Sequence, residues 1–89
     1  MKPVVKRLPC VTLYGRPGCC LCDEVRTLLE RVAGDLAFEL VERDIESDEL
    51  LLRRFLERIP VIAIDGVERF ELQVDERALR ACLASAAMI

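Results

Sequence analysis

The chain has 89 residues, 53% apolar and 33% charged, with a formal net charge of −3. That length suits one domain with a modest core, and the balance describes a folded globular chain rather than a disordered or membrane-embedded one. Basic and acidic residues are interleaved, tyrosine occurs once and tryptophan and histidine are absent. A nucleic-acid surface is therefore not expected, and Cys–His nucleophilic catalysis and histidine-ligated zinc are excluded.

Residues 1–9 are basic at Lys2, Lys6 and Arg7 but carry no long apolar stretch or small-residue cleavage site. They read as a short lead-in rather than a signal peptide, which makes the cytoplasm the expected location. The longest apolar runs, such as residues 61–64, are too short to span a bilayer, so no membrane association is expected. Residues 10–14 are β-rich and end at Gly15, predicting a first strand. A Pro17-Gly18 loop then carries Cys19, Cys20 and Cys22. Val25, Leu28, Leu29 and Val32 recur at helical spacing behind Asp23 and Glu24, with Gly34 as the stop. Residues 36–43 return to strand character, with Phe38 and Leu40 expected on one face. Ser47 is the predicted cap of a second helix, whose buried stripe is Leu52, Phe55, Leu56 and Ile59 and which Pro60 closes. The unbroken apolar run at residues 61–64 predicts a strand covered on both faces. Asp65-Gly66 is a hairpin signal leading into a strand over residues 67–72. Asp75 caps a last helix with Ala78, Leu79, Cys82, Leu83 and Ala86 on its apolar face.

The order is βαβαββα, in an α/β chain whose residues 10–89 are read as one domain. Two right-handed parallel crossovers and a closing hairpin predict a four-stranded mixed sheet with helices on both faces. The cysteine loop then falls at the carboxyl end of the first strand, the usual ligand edge of such sheets.

Five cysteines is an odd number, and three crowd into four positions, which favours a reactive site over a disulfide scaffold. Cys19 and Cys22, three positions apart at a helix start, can meet across one turn. The free N–H groups and dipole there favour a thiolate on Cys19, and Arg16 adds positive charge, whereas Asp23 and Glu24 oppose it. Cys19 is thus expected to titrate below the free-thiol value of about 8.5. Cys10 and Cys82 read as structural. Cys20 reads as an exposed bystander, with a third redox ligand or a glutathionylation site as alternatives; a vicinal Cys19–Cys20 disulfide is strained.

The run Leu13-Tyr14-Gly15-Arg16-Pro17-Gly18-Cys19, the Cys19-x-x-Cys22 pair, and Arg58-Ile59-Pro60-Val61 followed by Ile64-Asp65-Gly66 resemble the glutaredoxin-like members of the thioredoxin-fold superfamily. The similarity runs from about Cys10 to Leu83, within the group that carries a Gly-Cys-x-Leu-Cys loop. It implies a thiol–disulfide oxidoreductase in which Cys19 attacks and Cys22 resolves. It also implies a cis Ile59–Pro60 bond facing the pair and freeing the Ile59 backbone for an extended substrate. Arg16 reads either as a contact for a carboxylate of glutathione or of a peptide, or as a solvated loop arginine. The implied partners are a disulfide-bearing protein or small-thiol substrate and an electron donor, glutathione or a reductase. No bound cofactor is expected, and the expected state is a monomer. Two departures stand out. Residues 69–72, Arg-Phe-Glu-Leu, occupy the place of the family's glycine pair, which predicts weak glutathione recognition. The central dipeptide is Cys20-Leu21, and no tryptophan precedes Cys19. The alternative from another class is a metal or iron–sulfur carrier using Cys19, Cys20 and Cys22, three thiolates where four ligands are usual. A copper-chaperone fold would have a different element order, and intact Cys19 and Cys22 argue against a redox-dead interaction module.

Overall fold

Strand β1 (Cys10–Gly15) alternates between two faces, sending Val11 and Leu13 into one core and Tyr14 toward another. The computed structural model describes residues 8–87; residues 1–7 of the expected lead-in lie outside them. Helix α1 (Cys20–Ala33) buries the expected Val25, Leu28, Leu29 and Val32, together with Cys22, and Gly34 caps it. This stripe follows from the helical repeat, which brings positions three and four apart onto one face.

Strand β2 (Glu39–Asp44) pairs parallel to β1, from Cys10↔Glu39 to Gly15↔Asp44. It starts later than the sequence pattern suggests, and all its residues are exposed. Phe38 packs on the main core from outside the strand, while Leu40 faces solvent, so the two do not share a buried face. The reason is position: β2 is an edge strand.

A single 3₁₀ turn, Ile45–Ser47, precedes helix α2 (Glu49–Phe55). Here Asp48, not Ser47, is the cap, accepting from the Leu50 N–H at 2.8 Å. The Ser47 hydroxyl is committed to the Asp44 carbonyl at 2.6 Å, which leaves the neighbouring carboxylate to hold the helix start. Phe55 is buried, Leu51, Leu52 and Ile59 pack beside it, and Leu56 is exposed, contrary to the expected stripe. Nor does Pro60 close the helix. It ends at Phe55, where the N–H groups of Arg58 and Ile59 both turn back onto the Phe55 carbonyl.

Strand β3 (Val61–Ile64) is buried throughout: Val61 faces Ile45 and Phe55, whereas Ile62 and Ile64 face α1 and the last helix. Asp65 and Gly66 turn the chain at φ 52° and 83°, the left-handed pair that a tight two-residue hairpin requires. Strand β4 (Val67–Glu71) returns antiparallel, one residue shorter than expected. Helix α3 (Glu76–Ala86) starts at the expected cap, the Asp75 carboxylate accepting from Ala78 N–H at 3.1 Å. It buries Leu79 and Leu83, half-buries Cys82 and Ala86, and leaves Ala78 exposed.

The sheet order is β2-β1-β3-β4, with one core against α1 and α3 and a smaller one around Phe55 of α2. The mixed sheet with helices on both faces is as expected, but only the first crossover is parallel: β3 runs antiparallel to β1. The geometry explains this. The 3₁₀ turn and the seven-residue α2 pack through Ile45 and Phe55 against Val61 and Tyr14, at the end of the sheet where β2 finishes, and do not run back along it. The chain therefore stays at the end of the sheet where β2 finishes and re-enters from there.

Candidate functional site

The end of β1, the start of α1 and the start of β3 converge at one edge of the sheet. Cys19 is the N-cap of α1, and its Sγ accepts the Cys22 N–H at 3.2 Å. Cys19 and Cys22 are disulfide-bonded, with Cα atoms 5.2 Å apart, inside the range of an ordinary disulfide. Cys19 is half-buried and Cys22 fully buried at 1% exposure. Cys22 fits because β1 ends in glycine: a Cβ on Gly15 would stand 3.0 Å from the Cys22 sulfur.

Cys20 is exposed with a free thiol, and Cys10 and Cys82 are half-buried and free, as the sequence suggests. Among the described residues no three of Cys, Asp, Glu or His converge as metal ligands, so the three-thiolate set of the carrier alternative does not assemble.

Arg16 lies in the loop with its guanidinium 3.8 Å from Glu46, both side chains about half exposed. Its charge is thus shared with a carboxylate that sequence proximity did not reveal. The Ile59–Pro60 peptide is cis, and Pro60 is fully buried. Because Tyr14 pairs with Val61, Pro60 sits at the β1 end from which the cysteine loop departs. The expectation of a free Ile59 backbone needs correction. Its N–H is donated to the Phe55 carbonyl at 3.1 Å, leaving its carbonyl as the group available at that edge.

Several residues at the site were given no functional role from the sequence. Arg58, two residues before Pro60, donates to Glu68 and Glu71 of β4 and lies 5.3 Å over the Phe55 ring. Phe55 stacks on Tyr14 at 4.5 Å. The hydrogen bond from Arg58 holds the Glu68 carboxyl below its ordinary value of 4.5. A signal existed in the two acidic residues on the hairpin strand facing Arg58, but it needs the strand register to be read. Leu72, just past β4, adopts φ 65° and donates its N–H to the carbonyls of both Pro60 (2.9 Å) and Arg58 (3.2 Å).

Two hollows flank the first turn of α1. One, of about 390 Å³, lies on the β2 side between Arg16, Asp23, Arg26 and Arg43, with Cys22 in its wall. The other, of about 280 Å³, lies on the α3 side between Leu21, Leu28, Leu72 and Val74.

This arrangement of sheet and helices is the thioredoxin fold. It superposes on a thioredoxin from Halobacterium salinarum with a TM-score of 0.69 over 91% of this chain and 76% of that one, at 17% identity. The chain belongs to the family described as "Glutaredoxin-like domain (DUF836)", whose model matches residues 10–84. It is similar to the solution structure of protein Ne2328 from Nitrosomonas europaea, with a TM-score of 0.79 and 29% identity over 93% of this chain and 99% of that one. The X-ray structure of the structural genomics target protein XcR50 from X. campestris is also similar, with a TM-score of 0.70 and 30% identity over 85% of this chain and 97% of that one. An uncharacterized protein of Mycobacterium tuberculosis is 33% identical over 81 residues, 85% of this chain and 84% of its own length. Among the described residues no helix is long and apolar enough to cross a membrane.

Proposed function

We propose that the protein is a thiol–disulfide oxidoreductase acting on protein or small-molecule disulfides, with Cys19 as nucleophile and Cys22 as resolving thiol. The observation that carries this reading is the geometry of the pair. A half-buried Cys19 caps α1 and receives the Cys22 N–H, within disulfide reach of a buried Cys22. An N–H donated to sulfur, together with the open helix terminus, stabilises negative charge on Cys19.

In the reduced protein the Cys19 thiolate attacks one sulfur of the substrate disulfide; a mixed disulfide forms and one substrate thiolate leaves and takes up a proton. Cys22, deprotonated, then attacks Cys19 Sγ. The Cys19–Cys22 disulfide forms and the second substrate thiol leaves, so two electrons pass from the protein dithiol to the substrate. The Ile59 carbonyl and Arg16 are the proposed substrate contacts at this edge. A low-molecular-mass thiol such as glutathione, or a dithiol reductase, returns the pair to its reduced form. We propose further that the protein acts as a single protomer in the cytoplasm, without a bound cofactor.

The test is to trap intermediates with a disulfide substrate and map them by mass spectrometry. Cys22→Ser should accumulate a mixed disulfide on Cys19, whereas Cys19→Ser should turn over no substrate. Adducts gathering on Cys22 in Cys19→Ser would reverse the two roles.

A further inference from the structure

The hollow on the α3 side contains two exposed leucines that core packing does not explain. Leu21, between Cys20 and Cys22, is 42% exposed, and Leu72 is 45% exposed. Both line the same depression, whose floor is Val25 and Leu28 of α1. Leu72 stands there at φ 65°, a backbone conformation that side chains with a Cβ rarely adopt and that glycine adopts freely. Its N–H is tied to the Pro60 carbonyl, so the leucine belongs to the same sheet edge as the redox pair. Glu24 is the one charged residue lining this hollow among the described residues, and it makes no ion pair there.

We infer that this hollow is the specificity site for the disulfide substrate, and that it takes a polypeptide whose cysteine is flanked by an apolar residue on one side and a basic residue on the other. The inference rests on the oxidoreductase reading above. Three features choose this occupant. The hollow borders the helix turn that carries the pair, with Leu21 and Leu72 in its wall, so a polypeptide that presents a disulfide to Cys19 can extend along it. Leu21 and Leu72 offer apolar area that a side chain can remove from water. The unpaired Glu24 attracts a cation at the rim and repels small thiols that carry carboxylates. The chemistry is unchanged: the flanking residues bind, the substrate disulfide accepts two electrons from the Cys19/Cys22 dithiol, and two substrate thiols are released.

The test uses two homodimeric peptide disulfides, Leu-Cys-Lys and Asp-Cys-Asp in otherwise identical sequence, each rate divided by that of the same peptide with dithiothreitol. The expected preference of the reduced protein for the Leu-Cys-Lys peptide is about tenfold or more in kcat/KM, the scale of one apolar side chain in a pocket. Leu72→Gly suits the positive φ, so it should fold at least as well as the parent and still lose most of that preference, chiefly through KM. Glu24→Lys should erase the part due to the basic residue. Equal normalised rates on both peptides, or a preference untouched by Leu72→Gly and Glu24→Lys, would overturn the specificity site while leaving the redox reading standing. Failure to reduce either peptide, with no mixed disulfide in Cys22→Ser, would overturn the redox reading and the specificity site with it.

Discussion

At Gly15 the chain ends a strand against the sulfur of Cys22, and a methyl group added there would meet that sulfur at 3.0 Å and Cys22 Cβ at 3.3 Å. Gly15→Ala is expected to destabilise the reduced protein by about 1–3 kcal/mol, the usual cost of overpacking, read as a lower thermal midpoint in the presence of reductant. An unchanged midpoint would mean that the helix turn shifts to accommodate the methyl. Cys19 and Cys20 provide a second test because exposure and activation rank them oppositely. Cys20 is the more exposed, but Cys19 receives the N–H bond. With limiting iodoacetamide at pH 7, Cys19 in the reduced protein is expected to alkylate several times faster, and Arg16→Glu to slow it. Faster labelling of Cys20 would show that solvent access alone governs reactivity. Much of this site is legible in residue spacing, since Cys19, Cys22 and Pro60 are all found from their neighbours in the chain. Glu46 beside Arg16 and the Phe55 carbonyl beside the Ile59 N–H are not, because both partners arrive through the fold.

Strand β4 carries an irregularity that decides what Arg58 can hold. Opposite β3 the register steps from Ile62↔Phe70 to Ala63↔Glu68, so Arg69 is an extra residue in the ladder. In a regular strand Glu68 and Glu71 would point to opposite faces; the bulge brings both to the face where Arg58 reaches them. The clamp ties the turn before Pro60 to β4 and is the kind of feature alternation patterns cannot show, since one inserted residue reverses every facing assignment beyond it. The same limit applies at Ser47 and Asp48: both are good caps, and only the competing Asp44 carbonyl decides between them. The clamp has a pH signature. Because the hydrogen bond from Arg58 depresses the folded-state value of Glu68 below 4.5, its contribution to stability is complete above the unfolded value and is lost as pH falls through the folded one. Urea midpoints measured from pH 7 down to pH 3 are expected to fall less steeply in Glu68→Gln than in the parent. Identical slopes would mean that the ion pair is loosened in solution.

At the scale of the molecule, β3 is the element on which both cores depend, and the continuous apolar run at residues 61–64 already says so. Val61 closes the core around Phe55 and Ile45, while Ile62 and Ile64 close the one against α1 and α3. The strand's direction was not legible in that run. It depends on the length of α2, whose end cannot be told from a leucine-rich stretch that continues the helical pattern past Phe55. The division of labour between the cores leads to a comparison of two truncations. Ile62→Ala empties a fully buried position between the sheet and α1, at an expected cost of about 2–5 kcal/mol. In a domain whose whole stability is of order 5–15 kcal/mol, each kilocalorie lowers the melting point by roughly 4–8 °C. Phe55→Ala, at about 3–5 kcal/mol, should cost as much or more, but it removes the ring beneath Arg58 and against Tyr14. The two are therefore expected to differ in where the protein loosens. Hydrogen exchange should quicken first along α1 in Ile62→Ala, and first around residues 56–60 in Phe55→Ala. The same segments quickening in both variants would show that the two cores behave as one cooperative unit across β3.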